Sequence, residues 1–146
     1  MSYFKVLGLE KEPFSSSPDP EFFFRSTSHD TALKRLEISI RLRRGLNLVL
    51  GDVGTGKTTL IRAICDIFGQ CGAAVLLGAP TGRAAKRMAE ATGRPASTLH
   101  RMLEWDFKSA GFRRGHNNPL QADLVVVDEA SMIDNMLMFH FLKAVP

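Results

Sequence analysis

A chain of 146 residues, 45% hydrophobic and 23% charged, has the composition of a folded domain with its own core, not of a disordered or low-complexity segment. No apolar run approaches the roughly 20 residues of a membrane helix, and the opening MSYFKVLGLEKEPF lacks the basic and long apolar regions of a secretory signal. Two cysteines, Cys65 and Cys71, stand at no metal-ligand or CxxC spacing, which predicts buried reduced thiols and a cytoplasmic location, while the net charge of +4 admits a polyanionic partner.

Residues 1–27 contain Pro13, Pro18 and Pro20 with serines at 15–17, which forbid a long helix. Phe22, Phe23 and Phe24 need cover, most simply against the flank of the domain. A helix should begin near Ser28 or Asp30, either able to cap it, and reach about Arg44 before Gly45 ends it. Leu33, Leu36, Glu37 and Ile40 share one mostly apolar face of it. Residues 46–50 (LNLVL) have the make-up of a short buried parallel strand. After residues 51–58 (GDVGTGKT) a helix runs to about Phe68, with Leu60, Ile61, Ile64, Cys65 and Phe68 as its buried stripe. Residues 73–78 (AAVLLG) form the next buried strand, and a helix then reaches Thr92, stopped by Gly93 and Pro95. Ser97 can cap a short helix over 98–105, and 106–118 is a polar, basic loop. Residues 124–127 (LVVV) make a third buried strand, followed at once by Asp128 and Glu129, and a last helix spans about 135–144. Strands alternating with helices predict an α/β fold with a parallel sheet.

Residues 51–58 fit the phosphate-binding pattern G-x-x-x-x-G-K-[ST] without a mismatch, between a strand and a helix as that motif requires. Gly51, Gly54 and Gly56 let the backbone wrap an anion, so that its N–H groups, with those of Thr55 and Thr59, face phosphate oxygens. Lys57 would reach the β- and γ-phosphates of ATP, and the Thr58 hydroxyl would sit on Mg²⁺. The plainer alternative is a glycine-rich turn with a stray lysine. Asp128 would hold the same Mg²⁺ from the opposite side, and Glu129 would polarise the attacking water. An acidic pair at a solvated strand end is the alternative there. Basic residues gather at Lys34, Arg35, Arg41, Arg43 and Arg44, and again at Arg83, Lys86, Arg87, Arg94, Arg101, Lys108, Arg113 and Arg114. They suit either a polyanion or solvated helix faces.

Two family resemblances divide the chain. Tyr3-Phe4, Leu7-Gly8-Leu9, Pro13-Phe14, Pro18-Asp19-Pro20, Phe23-Phe24 and Ser28-His29, followed by GDVGTGKTT, resemble the start of the general-secretion-pathway A (ExeA-like) AAA ATPases over about residues 1–60. APTGRAAKRM at 79–88, ATGRPASTLHRMLE at 91–104 and NPLQADLVVVDEASMID at 118–134 resemble the RecD-type branch of superfamily 1 helicases over about residues 58–146. The second resemblance implies an ATP-driven motor moving 5′ to 3′ on single-stranded DNA. It implies that Pro80, Thr81, Gly82 and Arg83 contact the DNA backbone, with Lys86 and Arg87 adding charge, and that His100 and Arg101, after Thr98, form a second strand-contacting motif. Trp105 and Phe107 could stack on bases or anchor a loop, and Ser131 and Asp134 link the acidic motif to its surroundings.

The chain departs from the helicase pattern in three places. Residues 30–44 lack the glutamine that reads adenine in that branch. The loop carries Asp52-Val53, as in the secretion-type ATPases, where RecD-type enzymes show Gly-Pro, so the two resemblances meet at the phosphate loop as in a hybrid or a fragment. In the family a further strand follows, lying between the strands at 46–50 and 124–127, and a second RecA-like domain supplies an arginine to the site. These departures predict a lead-in over 1–45, a partial RecA-like P-loop NTPase domain over 46–146, and unpaired strand edges. The expected function is ATP hydrolysis within a RecD-like helicase, with a secretion-type AAA ATPase or an inactive nucleotide-binding fragment as alternatives.

Overall fold

The structure, a computed structural model, describes residues 3–8, 26–42, 45–50, 56–108 and 110–146. Its centre is strand β1 (Val75–Ala79), paired in parallel on both edges. On one side lies β2 (Ala96–Thr98), with Leu77 opposite Ala96 and Ala79 opposite Thr98. On the other lies β5 (Leu124–Val127), with Val75 opposite Leu124 and Gly78 opposite Val127. The expected α/β fold with a parallel sheet is therefore present, in the order β2-β1-β5 among the described residues. The β1–β5 ladder is closed at both ends. The Asp123 carboxylate accepts from the Ala74 N–H at 2.8 Å, and the Asp128 N–H donates to the Gly78 carbonyl at 3.1 Å.

Side-chain alternation at period two gives the sheet two apolar faces. Helix α3 (Lys57–Gln70) covers one, with Leu60, Ile64 and Phe68 packed near Val75 and Leu124. Cys65 of the same helix meets Leu77 and Val126 together with Met88 of α4 (Gly82–Thr92). Outside α3 lies α2 (Thr27–Arg41), started by the Ser26–His29 capping box and joined to the layer through Leu33. The opposite face is covered by α5 (Leu99–Met102) and α6 (Asn135–Ala144), where Leu99, Leu103, Leu137 and Phe141 meet Leu76, Val125 and Val127. Gly78 makes that contact close. A Cβ there would stand 2.9 Å from Met102 Cε and 3.0 Å from Leu99 Cδ2.

Several expectations need correction. Residues 46–50 form no strand, and Leu46 and Leu50 are 81% and 83% exposed. The physical reason is that burial in a parallel sheet comes from neighbouring strands, not from the segment itself. Both edges of β1 are taken by β2 and β5, and among the described residues nothing pairs with 46–50 or with the outer edge of β5. Of the two unpaired edges expected, only that of β5 is present among the described residues, since 46–50 is no strand. Ser97 and Thr98, expected as a cap and helix start, belong instead to strand β2, and the short helix begins one residue later with Thr98 as its cap. The loop at 106–118 contains a small antiparallel pair, β3 (Trp105–Asp106) with β4 (Gly111–Phe112). Cys71 is exposed where a buried thiol was expected, because it lies just past the end of α3; Cys65 is buried, and burial pushes its thiol up. A one-turn helix α1 (Tyr3–Val6) lies near the start of the chain, while the phenylalanines at 22–24 lie outside the described residues.

The two halves of this packing differ in cost. Leu99 is 0% exposed between the sheet and α6, so Leu99→Ala should lower the unfolding free energy by about 2–5 kcal/mol in denaturant titration. Phe107 is 89% exposed, and Phe107→Ala should change the same quantity by less than about 0.5 kcal/mol.

Candidate functional site

Parallel pairing sends every strand of the sheet out at the same end, and the residues of interest follow those carboxyl ends. Ala79 of β1 leads to Pro80–Arg83, Thr98 of β2 leads to His100 and Arg101, and Val127 of β5 leads to Asp128 and Glu129. Helix α3 returns to β1 through residues 71–74 only, while packing along it. It therefore runs antiparallel to the strand, and its first residues Lys57, Thr58 and Thr59 start at that same carboxyl end.

Gly56 precedes α3 in the left-handed region, at φ 78, a conformation that glycine adopts without steric cost. Its carbonyl accepts the Leu60 N–H at 3.1 Å, and among the described residues no side chain caps the helix start. The first turn of a helix is where backbone N–H groups can meet an anion, and Thr58 and Thr59 stand in this one. Gly51, Gly54 and Thr55 lie outside the described residues.

The acidic pair is held tightly by backbone. The Asp128 N–H is fixed to β1, and one of its carboxylate oxygens accepts the Glu129 N–H at 2.8 Å. Glu129 has φ 53 and ψ 37, a left-handed conformation uncommon for a side chain of this size and of the kind that concentrates at functional sites. A three-residue 3₁₀ turn, Ala130–Met132, follows, with the Met132 N–H donating to the Glu129 carbonyl at 2.9 Å. The side chain is not solvated alone. Arg87 Nη2 of α4 donates to Glu129 Oε1 at 3.1 Å, a partnership across 42 positions that no sequence pattern indicates.

The basic residues separate by partner. Thr81, extended at φ −122, caps α4 by accepting the Ala84 N–H at 3.2 Å, and Thr98 caps α5 by accepting the Arg101 N–H at 3.3 Å. Gly82 has open space where a Cβ would stand. Arg83 and Arg101 are exposed and have no ion-pair partner among the described residues. By contrast Arg114 reaches Glu104 at 2.6 Å and also the Pro119 carbonyl, Arg113 reaches Asp106 at 3.2 Å, and Arg94 reaches Asp66 at 3.5 Å. Those three hold the β3–β4 pair and the α3–α4 layer together, so the cluster at 83–114 offers fewer unengaged cations than its sequence count. His100 is exposed, with its ring tilted against Phe112 at 5.8 Å, and Trp105 meets the same ring edge-on at 4.8 Å. Pro80 is half-buried. Asp134 caps α6 through the Leu137 N–H at 2.8 Å, so its link runs to the last helix, while Ser131 is exposed on the 3₁₀ turn.

A parallel sheet with a glycine-started helix and an acidic pair at one end defines a class, and residues 35–146 match the AAA domain family. The chain belongs to that family. It is 46% identical over 101 residues to the ATP-dependent RecD2 DNA helicase of Deinococcus radiodurans, a stretch covering 69% of this chain and 14% of that protein. It is 34% identical over 165 aligned positions to the RecBCD enzyme subunit RecD of Mycolicibacterium smegmatis, covering 96% of this chain and 29% of that subunit. A shorter match, 40% over 62 residues, is to the General secretion pathway protein A of Aeromonas hydrophila, covering 42% of this chain and 11% of that protein. The chain spans less than a third of the length of each of these relatives.

Thr81 tests how this end of the sheet is built. Thr81→Ala removes the cap of α4 and should cost about 0.5–2 kcal/mol in denaturant unfolding, with Thr81→Ser restoring most of it.

Proposed function

We propose that the chain binds and hydrolyses Mg-ATP as part of a RecD-type DNA helicase that moves 5′ to 3′ on single-stranded DNA. The observation that carries this is the convergence of Lys57–Thr59, Thr81–Arg83 and Asp128–Glu129 at the carboxyl end of one parallel sheet. The similarity to the two RecD proteins supports it for the greater part of the chain.

Gly51, Gly54, Thr55, Gly56 and Thr59 present backbone N–H groups to the phosphates, and Lys57 balances the charge on the β- and γ-oxygens. The Thr58 hydroxyl and the Asp128 carboxylate are hard oxygen donors at the same end, a set that suits Mg²⁺, which takes one or two protein oxygens and keeps its remaining waters. When bound, Mg²⁺ neutralises charge developing on the phosphate oxygens. Glu129 orients the attacking water and takes its proton. Pro80, Thr81, Gly82 and Arg83, with His100 and Arg101, face the DNA backbone. Contacts of that kind give salt-dependent, sequence-insensitive binding. The open space at Gly82 is compatible with close approach of a strand.

We further propose that a second RecA-like domain completes the site with an arginine, so that these 146 residues alone bind ATP but unwind little or no duplex. No described helix is long and apolar enough to cross a membrane, and we propose a cytoplasmic location. The match to General secretion pathway protein A favours a second reading, an AAA-type ATPase of that pathway, for the smaller part of the chain that it covers.

In equilibrium binding, Lys57→Ala should weaken Mg-ATP by about 2–5 kcal/mol, the cost of removing one partner of a desolvated charge pair. Glu129→Gln should leave that affinity in place and lower whatever hydrolysis the chain performs by about 10²–10⁴-fold. Undiminished ATP affinity in Lys57→Ala would sink the phosphate-loop assignment.

A further inference from the structure

On α4, residues 83, 86, 87 and 90 recur at helical spacing, and all four are exposed on one face. The other face, Ala84, Ala85 and Met88, is buried. Two of the three cations on the exposed face already contact a carboxylate, in different ways. Lys86 Nζ lies 3.9 Å from Glu90 within the same helix, a loose pair that holds nothing together. Arg87 spans 42 positions to take Glu129 Oε1 at 3.1 Å, tying α4 to the turn after β5.

Glu129 has little backbone freedom, since its N–H is bound to Asp128, its carbonyl accepts the Met132 N–H, and its φ is 53. Its side chain is the part that can move, and the contact that directs it is Arg87. The two side chains are 64% and 32% exposed, so the pair is partly solvated and weak enough to be displaced. The guanidinium has donors to spare, and it shares its face with Arg83.

We propose that Arg87 is a positioning residue whose guanidinium is contested by the Glu129 carboxylate and by a backbone phosphate of single-stranded DNA lying along Arg83 and Lys86. This rests on the reading of α4 as a DNA-contacting face and of Glu129 as the residue that orients water. Without DNA, Arg87 directs the carboxylate toward α4. A phosphate on the same cation weakens that hold and frees Glu129 for its role at the nucleotide. The coupling is reciprocal by thermodynamic necessity: whatever removes the carboxylate charge must strengthen the phosphate contact through Arg87.

The test is a double-mutant cycle on binding of a fluorescent oligothymidylate to the full chain at low ionic strength, where exposed pairs are least screened. Glu129→Gln should tighten binding about two- to fivefold when Arg87 is present, the range expected of an exposed pair. In the Arg87→Gln background the same change should leave affinity unaltered. Equal tightening in both backgrounds would mean general charge repulsion and would overturn the proposal. Binding with no effect of Glu129→Gln in either background would also overturn it, while leaving the DNA-contacting face standing. If no variant binds oligothymidylate, that face and this inference fall together.

Discussion

Everything at the candidate site depends on the double pairing of Val75–Ala79. With β2 on one edge and β5 on the other, all in parallel, three strand ends emerge on one side of the sheet. The hydrogen bond from the Asp128 N–H to the Gly78 carbonyl carries that register one residue beyond the strand. It fixes the acidic pair relative to Thr81 and Gly82, which begin two residues after Ala79 on the same central strand. Gly78 serves both layers. Its carbonyl holds Asp128, and its missing side chain lets Leu99 and Met102 close over the sheet. The core on that face and the geometry of the site therefore share one residue.

Charge is organised by the same end of the molecule. Arg94, Arg113 and Arg114 neutralise carboxylates within the chain and support the α3–α4 packing and the β3–β4 pair. Arg83 and Arg101, near the first turns of α4 and α5, are left to solvent. A basic stretch that looks uniform in the sequence is thus two populations, one structural and one available to a polyanion. Arg87 belongs to both, since it holds Glu129 while standing on the available face.

What was legible in the sequence follows from how local each signal is. Strand β5 and helix α6 are found at 124–127 and 135–144, as expected, because a four-residue β-branched and leucine run and an apolar helical stretch are local features; the Asp134 cap of α6 is seen only in the structure. Helix α4 likewise ends at Gly93, whose left-handed φ of 69 stops it. The run at 46–50 had strand composition yet forms none, because a strand exists only when another offers it a ladder. Strand β2 is three residues long, and β3 and β4 are two each, too short to show alternation. They are set by parallel register with β1, by Trp105 on Phe112 and by the paired arginines. The Arg87–Glu129 contact was beyond reach for a similar reason: each residue had a sensible role alone, and only the packing of α4 on β1, whose other neighbour is β5, brings them together.

On the proposed function, nucleotide is held at the carboxyl end of this sheet, by the start of α3 and the acidic pair together. Amide hydrogen exchange of the full chain, with and without Mg-ATP, tests it most directly because it reports both segments at once. Protection should increase at Gly56–Thr59 and at Asp128–Glu129, with no change in α6 or in the β3–β4 pair. Protection confined to other segments, or none at saturating Mg-ATP, would contradict it.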